Sequence, residues 1–243
     1  MASDVVSELA PTGILRAGVN LSNFLLVNGK SPSGDPEGVS PSLARAIAER
    51  LGVGVRYVTY PRPDQLAAAV EADEWDIGLI GAEPARAEKI SFTSAYAEIE
   101  STYLVPAGSP IEAVADVDKA GIRIAVAGGS AYDLWLTRNI REAELVRAPS
   151  LDASYDLFVD GKLDALAGLR PRLLSDVKRL PGARILQGRF SSVQQAVGTP
   201  KRNVAAARFL AEFVEEAKRS GLVAELIRRH GVDGLSVAPP AEG

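Results

Sequence analysis

The first eighty residues alternate apolar, strand-like runs with helix-like stretches that carry one apolar face. The strand candidates are Leu15–Val19, Val53–Tyr60 and Trp75–Ile80. Between them we expect one helix with Ser40 as N-cap and Pro41 in its first turn, and a second helix with Asp64 as N-cap. Strands and helices that alternate at this spacing are typical of a mainly parallel sheet with right-handed crossovers. The sequence therefore predicts an α/β fold.

The same pattern restarts in the second half of the chain. A strand is predicted at Ile122–Val126, followed by a turn at Gly128–Ser130 and a helix. Ser130 and Asp133 have the spacing of a capping box, and Ser150 is expected to cap a further helix. Other strand candidates are Ser101–Pro106, Glu144–Ala148, Ala183–Leu186 and Gln194–Gly198.

Composition excludes several classes of function. A net charge of −4 and an isoelectric point near 5.3 argue against a nucleic-acid-binding surface. No apolar run of about 18 residues is present, so no membrane span is expected. The absence of cysteine excludes disulfides, thiol nucleophiles and cysteine metal sites, and the single histidine, His230, makes a histidine metal site implausible. We expect no metal and no cofactor.

Polar residues follow three of the predicted strands directly. Asn20, Arg62 and the turn Gly81–Arg86 all lie at carboxyl ends of strands. In open parallel sheets, ligands bind at this edge. The sequence therefore predicts a ligand site there.

Arg86 is the main candidate for recognition of an anion. Its guanidinium offers a planar fork that fits a carboxylate. Pro84 can start a helical turn whose first N–H groups also favour an anion. The alternative is that Arg86 pairs with Glu83 or Glu88 on a solvated turn.

Four consecutive segments around this turn carry a family resemblance. They are Trp75–Ile80, Glu83–Arg86, Ile90–Thr93 and Tyr96. In this order they resemble the type-2 periplasmic solute-binding proteins, the family that includes the amino-acid-binding components of ABC importers. The family's arginine anchors the ligand carboxylate, so the resemblance implies that role for Arg86. It extends from about Leu15 to Gly231.

The resemblance implies a two-lobed periplasmic-binding-protein type 2 fold, in which each lobe is a mainly parallel sheet flanked by helices. A chain of 243 residues is long enough for two such cores. We expect lobe 1 to comprise residues 1–103 and 195–243, and lobe 2 to comprise residues 104–194. Two hinge strands, near Tyr103–Pro106 and Val193–Val197, would let a ligand that contacts both lobes favour a closed state.

The resemblance also implies ligand-binding residues in both lobes. In lobe 1 they include Asn20, Asn23 and Phe24, although core packing is an equal alternative for Phe24. In lobe 2 the family's Ser-Gly-Thr, whose hydroxyl and N–H groups bind the carboxylate, corresponds to Gly128–Ser130, and the ligand-binding residues implied there are Gly129, Ser130 and Ala131. A plain N-cap is the alternative for Ser130, and the two roles can coexist.

Two positions depart from the family's pattern. Glu83 replaces a threonine, and Leu169 with Arg170 stand where amino-acid binders carry the aspartate that pairs with the ligand's α-amino group. An ammonium beside Leu169 would lack a counter-charge unless Glu83 meets it, so a ligand without an amino group is slightly favoured. The complete predicted ligand-binding set is Asn20, Asn23, Phe24, Arg62, Gly81, Ala82, Glu83, Arg86, Gly129, Ser130, Ala131, Leu169 and Arg170.

The predicted function is capture of a small carboxylate ligand, an amino acid or a related organic acid, in an interlobe cleft for an ABC-type importer. No catalytic residue is assigned, and a monomer that works with a transporter permease is expected. The first residues lack the basic start and apolar core of a signal peptide, so the protein is periplasmic if a signal was removed and cytoplasmic otherwise. The alternatives are a dehydratase-like enzyme on the same fold, with Glu83 as its acid, and a cytoplasmic or sensor ligand-binding module.

Overall fold

Apolar runs become strands and amphipathic stretches become helices in the computed structural model, which describes residues 2–241. The strands are β1 (Ile14–Asn20), β2 (Gly29–Lys30), β3 (Pro36–Glu37), β4 (Gly54–Tyr60), β5 (Ile77–Gly81), β6 (Ile90–Phe92), β7 (Ala97–Val105), β8 (Arg123–Ala127), β9 (Glu144–Ala148), β10 (Ala165–Leu169), β11 (Arg184–Ile185), β12 (Ser191–Pro200) and β13 (Ser236–Val237).

The helices lie between these strands and at both ends of the chain. They are α1 (Ala2–Leu9), α2 (Val39–Leu51), α3 (Pro63–Ala68), α4 (Pro84–Ala87), α5 (Ala131–Asn139), α6 (Leu151–Asp160), α7 (Arg170–Asp176), α8 (Val204–Arg219) and α9 (Leu222–Arg229), with short 3-10 helices at Val114–Asp116 and Val177–Arg179. None of the helices within residues 2–241 combines the length and the apolar character of a membrane span.

The first compact unit contains the chain up to Glu98 and from Gln194 onward. Its strand order is β4-β1-β5-β12. β1 runs parallel to both β4 and β5, whereas β12 runs antiparallel to β5 and also pairs with β6. The predicted strand–helix alternation of the first eighty residues is thus confirmed as a parallel sheet.

The second compact unit is the continuous segment Ile99–Val193. Its strand order is β7-β10-β8-β9. β8 is parallel to β9 and β10, whereas β7 is antiparallel to β10 and to β11. The restart of the pattern near residue 122 therefore marks a second α/β unit.

The chain passes between the units within β7 and within β12, because the boundaries fall at residues 98/99 and 193/194. The predicted lobe boundaries were 103/104 and 194/195. Met1, Glu242 and Gly243, which the predicted lobe 1 includes, lie outside the described residues. The division into two functional lobes and the role of β7 and β12 as hinge strands stay predictions.

Two predicted helix starts are wrong. α2 begins at Val39 with Gly38 as N-cap, and the Ser40 hydroxyl instead donates to the Leu26 carbonyl at 3.4 Å. Gly38 has φ 149°, and a Cβ there would lie 2.2 Å from the Leu26 oxygen, so close packing fixes the start of this helix. α3 begins at Pro63, since proline suits the first helical position, and Asp64 is not its cap.

The core of the first unit is organised around Trp75. This residue is fully buried, and its Nε1 donates to the Leu66 carbonyl at 2.9 Å. The indole packs so closely against Gly18 and Gly78 that a Cβ at either glycine would lie 3.2 Å from the ring. Large side chains from α3 and β5, including Leu66 and Ile80, complete the cluster. Trp75 thus fixes how the helix rests on the sheet.

We expect Trp75→Phe to lower the free energy of unfolding by about 2–3 kcal/mol, because the smaller ring leaves a void and the Leu66 carbonyl loses a buried donor. Urea unfolding followed by circular dichroism measures this loss. Trp135→Phe is the matched control, since Trp135 is only half-buried. Equal losses in the two variants would contradict the role given to Trp75.

Candidate functional site

Three parallel strands of the first unit end side by side. β1 lies between β4 and β5, with Asn20 opposite Tyr60 and Val19 opposite Leu79. This register brings together the predicted residues that follow each strand. They are Asn20, Asn23, Phe24, Arg62, Gly81, Ala82, Glu83 and Arg86.

Arg86 is buried against the end of β5. Pro84 starts α4, and one turn later the Arg86 Nη1 donates to the Gly81 carbonyl at 2.8 Å. Only 6% of Arg86 and 9% of Glu83 is exposed to solvent. The alternative of a solvated surface turn is therefore wrong for both residues.

Two carboxylates act on the Arg86 guanidinium. Burial lowers the pKa of Arg86 to about 10, while the charges of Glu83 and Asp64 oppose that shift. The guanidinium is therefore cationic at neutral pH. The Glu83 side chain does not cap α4, although Glu83 is the N-cap residue. A buried cation and a buried acid thus lie within one turn of chain.

Arg62 is the second cation at this edge. Its Nε donates to the Asp64 Oδ1 at 3.0 Å, and the two residues form an ion pair. Burial raises the pKa of Asp64, but the hydrogen bond and charge of Arg62 outweigh that effect and hold it below its ordinary value. Sequence reasoning had assigned Asp64 only as an N-cap, so its influence on Arg86 was missed.

The turn after β1 is built by asparagine side chains. The Asn20 Oδ1 accepts from the Ser22 N–H at 3.1 Å and from the Ser22 hydroxyl at 2.8 Å. The Asn23 Oδ1 accepts from the Leu25 N–H at 3.2 Å. Phe24 is 38% exposed, so the alternative of core packing for this residue is wrong.

In the second unit, Gly129 and Ser130 lie between β8 and α5, and Ala131 is the first residue of α5. The Ser130 Oγ accepts from the Asp133 N–H at 3.1 Å and donates to the Ala127 carbonyl at 2.8 Å. Its predicted N-cap role is confirmed. Gly129 has φ 77°, a conformation that favours glycine.

Asp133 departs from the predicted capping box. Its Oδ2 accepts from the Gly129 N–H at 2.9 Å, not from the N–H of Ser130. Asp133 is 3% exposed, and its Oδ1 also accepts from the Arg147 Nε at 3.0 Å. The Gly129 N–H, which was predicted to bind a ligand, is therefore occupied by the chain's own carboxylate, and the Asp133 N–H in the first turn of α5 is occupied by Ser130.

Leu169 and Arg170 lie where β10 meets α7, and Leu169 is 7% exposed. The Arg170 Nε donates to the Glu100 Oε2 at 2.8 Å, and its Nη2 donates to the Gly188 carbonyl. Glu100 also accepts from the Arg189 Nη1 at 3.2 Å. The Arg170 charge is thus already neutralised by an acid seventy positions earlier in the chain, which no local pattern reveals.

Comparison with protein families matches the bacterial extracellular solute-binding proteins, family 3, over residues 20–233. Comparison with curated proteins gives no match. The similar solved structures include a mutant of ArgBP from T. maritima, with a TM-score of 0.74 and 21% identity over 94% of this chain and 100% of that one.

Two further structures resemble the chain as closely. One is the putative binding component of an ABC transporter from Wolinella succinogenes, complexed with lysine, with a TM-score of 0.74 and 20% identity over 91% of this chain and 97% of that one. The other is an ancestral amino acid-binding protein described as a precursor of cyclohexadienyl dehydratase, with a TM-score of 0.73 and 20% identity over 93% and 98%. These similarities show the two-lobed, type 2 periplasmic-binding-protein fold.

We expect Asp133→Ala to lower the free energy of unfolding by about 1–3 kcal/mol, because the Gly129 N–H and Arg147 lose a buried acceptor. Asp133→Asn should cost less, since an amide oxygen can still accept from Gly129. Urea unfolding, with Trp135 on the same helix as fluorescent reporter, measures both losses. An equal cost in the two variants would show that the acceptor at Gly129 contributes nothing.

Proposed function

This chain belongs to the bacterial extracellular solute-binding proteins of family 3, and we propose that its solute is an amino acid or a related small organic acid, held by its carboxylate. We further propose that the protein acts outside the cytoplasm, as a monomer, and delivers the solute to the permease of an ABC-type importer. Support comes from the similar structures, which include an ancestral amino acid-binding protein and a putative binding component of an ABC transporter.

The observation that carries this proposal is the buried cation Arg86 at the carboxyl edge of the parallel strands. A charge in a desolvated position interacts more strongly with an opposite charge than it would in water. A carboxylate can accept two parallel hydrogen bonds from the guanidinium fork.

Glu83 gives the same edge a partner for an ammonium group. It is buried, it lies three residues from Arg86, and its side chain is not used as a helix cap. An α-amino acid presents a carboxylate and an ammonium on neighbouring atoms, so the pair Arg86 and Glu83 matches that pattern of charge. This arrangement would replace the acid that Leu169 and Arg170 lack in the second unit.

We propose that the second unit contributes the first-turn N–H groups of α5, next to Ser130 and Ala131, and the apolar side chain of Leu169. Asn20, Asn23, Phe24 and Arg62 would set selectivity. Arg170 is expected to act on the ligand only indirectly, since Glu100 and the Gly188 carbonyl hold its guanidinium.

The second candidate function is dehydration of a cyclic carboxylic acid. It is favoured by the resemblance to an ancestral protein described as a precursor of cyclohexadienyl dehydratase, and by the buried acid Glu83 beside a carboxylate-binding arginine. We propose binding without chemistry, because Glu83 is the one acid among the predicted ligand-binding residues and none of the others would act beside it as a second acid or base. Aromatic product formed from prephenate or arogenate would overturn that choice.

We expect Arg86→Met to weaken the best ligand found in a thermal-shift screen of the standard amino acids and their 2-keto analogues. Loss of a charge-assisted pair from a desolvated site should cost about 2–5 kcal/mol of affinity. Calorimetry measures the dissociation constant. Lys89→Met is the matched control, because Lys89 lies three residues away, is exposed and pairs only with Glu71 on the surface. Affinity unchanged in Arg86→Met would remove Arg86 as the anchor.

We expect Glu83→Gln to separate amino acids from their 2-keto analogues. If Glu83 meets the ammonium, the variant should lose about 2–5 kcal/mol of affinity for the amino acid, because a desolvated charge is left unpaired. Its affinity for the keto acid should change little. Leu169→Asp, which restores an acid in the second unit, should weaken binding of the keto acid, because that ligand has no ammonium group to pair with the added carboxylate. Tight amino-acid binding that survives Glu83→Gln would contradict the assignment of Glu83.

A further inference from the structure

A pocket of about 380 Å³ lies beside α5, and all of its lining residues belong to the second unit. Its wall is aromatic. The rings of Tyr103 and Phe190 have centroids 4.6 Å apart, and those of Trp135 and Phe190 are 5.4 Å apart. None of the residues Gly129, Ser130, Ala131, Leu169 or Arg170 lines it. The pocket is therefore distinct from the ligand-binding residues proposed above.

The sheet explains why the rings gather there. Successive side chains of a strand point to opposite faces of the sheet, so the side chains of Tyr103 and Leu104 lie on opposite faces. Leu104 packs with Phe158 on the α6 side of the sheet, which places Tyr103 on the α5 side. Phe190 is fixed by its N–H, which donates to the Ser101 carbonyl at 3.0 Å. Tyr103 is 2% exposed and forms the floor.

The two outer rings remain accessible. Trp135 and Phe190 are each half-buried, and Ala115 at the opposite wall is exposed. Val114 and Ile140 add apolar surface between them. A half-buried indole beside a half-buried phenyl ring leaves aromatic faces on which a flat apolar group can stack. The volume suits a small molecule, since ligand pockets start at roughly 300 Å³.

Besides the Tyr103 hydroxyl, the polar side chains of the pocket are those of Asp118 and Asn139. Asp118 Oδ1 accepts from the N–H groups of Arg141, Glu142 and Ala143 at 3.1, 2.8 and 3.0 Å, whereas Oδ2 accepts only from Arg141, at 2.9 Å. A carboxylate oxygen can accept more than one hydrogen bond, so Oδ2 retains capacity. Burial raises the pKa of Asp118, but these backbone bonds and the charge of Arg141 outweigh it and hold the pKa below its ordinary value.

Asn139 supplies a second acceptor. Its Nδ2 donates to the Trp135 carbonyl at 2.8 Å, and its Oδ1 can accept a hydrogen bond from a ligand. Among the described residues that line the pocket, none is lysine or arginine. The lining therefore combines an anion, a neutral acceptor and aromatic faces, and Arg141, whose charge acts on Asp118, does not line the pocket.

We infer that this pocket is a second ligand site, which binds a small organic ammonium ion with an aromatic body. The ammonium would lie between Asp118 Oδ2 and Asn139 Oδ1, and its ring would stack on Trp135 and Phe190. A cation near these rings gains from their negative faces, and the carboxylate supplies a charge-assisted hydrogen bond. Carboxylate ligands of the proposed transport site would be rejected here by Asp118.

The test is a calorimetric titration of the whole protein with the phenethylammonium ion. Two isosteric probes accompany it: 2-phenylethanol, which is neutral, and 3-phenylpropionate, which is anionic. Phenethylammonium should bind at least about tenfold more tightly than either, a difference of roughly 1.4 kcal/mol. Equal binding of the three probes, or no saturable binding of phenethylammonium in the millimolar range, overturns the inference.

A pair of variants locates the binding. Ala115→Lys places an ammonium at the pocket wall, where it should compete with the probe and weaken it at least about tenfold, or 1.4 kcal/mol. Ala113→Lys adds the same charge at an exposed residue that does not line the pocket. A lysine at this exposed position can extend into solvent, where physiological salt screens its charge, so affinity should stay within about twofold. An equal effect of the two variants overturns the inference.

Arg86→Met separates this site from the proposed transport site, since it should leave the affinity for phenethylammonium unchanged. Loss of probe binding in that variant would place the ammonium in the first unit and overturn the assignment to α5. Trp135→Leu should weaken the probe at least about tenfold if its ring carries the stacking. Circular dichroism of each variant checks that it is folded.

Discussion

The parallel register of β1 between β4 and β5 is the constraint on which the first unit depends. It aligns three carboxyl ends at one edge, so that residues from three separate turns, Asn20, Arg62 and Gly81, become neighbours. Trp75 packs closely against this sheet, because a Cβ at Gly18 or Gly78 would lie 3.2 Å from its ring.

Charges in both units are fixed by other parts of the protein before any ligand arrives. In the first unit, Arg62 neutralises Asp64, and Glu83 accompanies Arg86 in a buried position. In the second unit, Asp133 occupies the Gly129 N–H. Charged groups that are preorganised in this way reduce the reorganisation that binding requires, because they are oriented before a ligand arrives. They also narrow the set of ligands, since an unmatched charge in such a place has no water to solvate it.

Much of the fold follows from the sequence, because apolar periodicity reports which face of an element is buried. The strand predicted at Trp75–Ile80 is β5 with a shift of one or two residues, and Ser150 caps α6 as predicted, with its Oγ accepting from the Ala153 N–H at 3.1 Å. The start of α2 was wrong because Gly38 is required by contact with Leu26, a residue twelve positions earlier. Short elements such as β13 carry too few residues to show a period.

The candidate site was less predictable, because many of its contacts join residues that are far apart in the sequence. Arg86 and Ser130 lie in local motifs, a proline-led turn and a helix cap, which a sequence displays directly. Arg170 pairs with Glu100, and Asp64 is one of the two carboxylates whose charges act on Arg86. Both interactions depend on which strand ends meet. Long-range pairing of charges is decided by the register of the sheets, and the register is invisible until the strands are assembled.

Because the chain passes twice between the units, the two units can be completed only in a certain order during synthesis. The second unit is continuous, so it can fold as soon as residues 99–193 have left the ribosome. The first unit cannot be completed at that stage, because β5 pairs with β12, which is made later, and Gly81 lies opposite Gln195. The Ala82 N–H likewise donates to the Gln194 carbonyl at 2.7 Å. During synthesis, the edge of β5 beside Arg86 therefore stays unpaired until about four fifths of the chain has been translated. A nascent chain arrested before that point would expose an unpaired strand edge to neighbouring molecules.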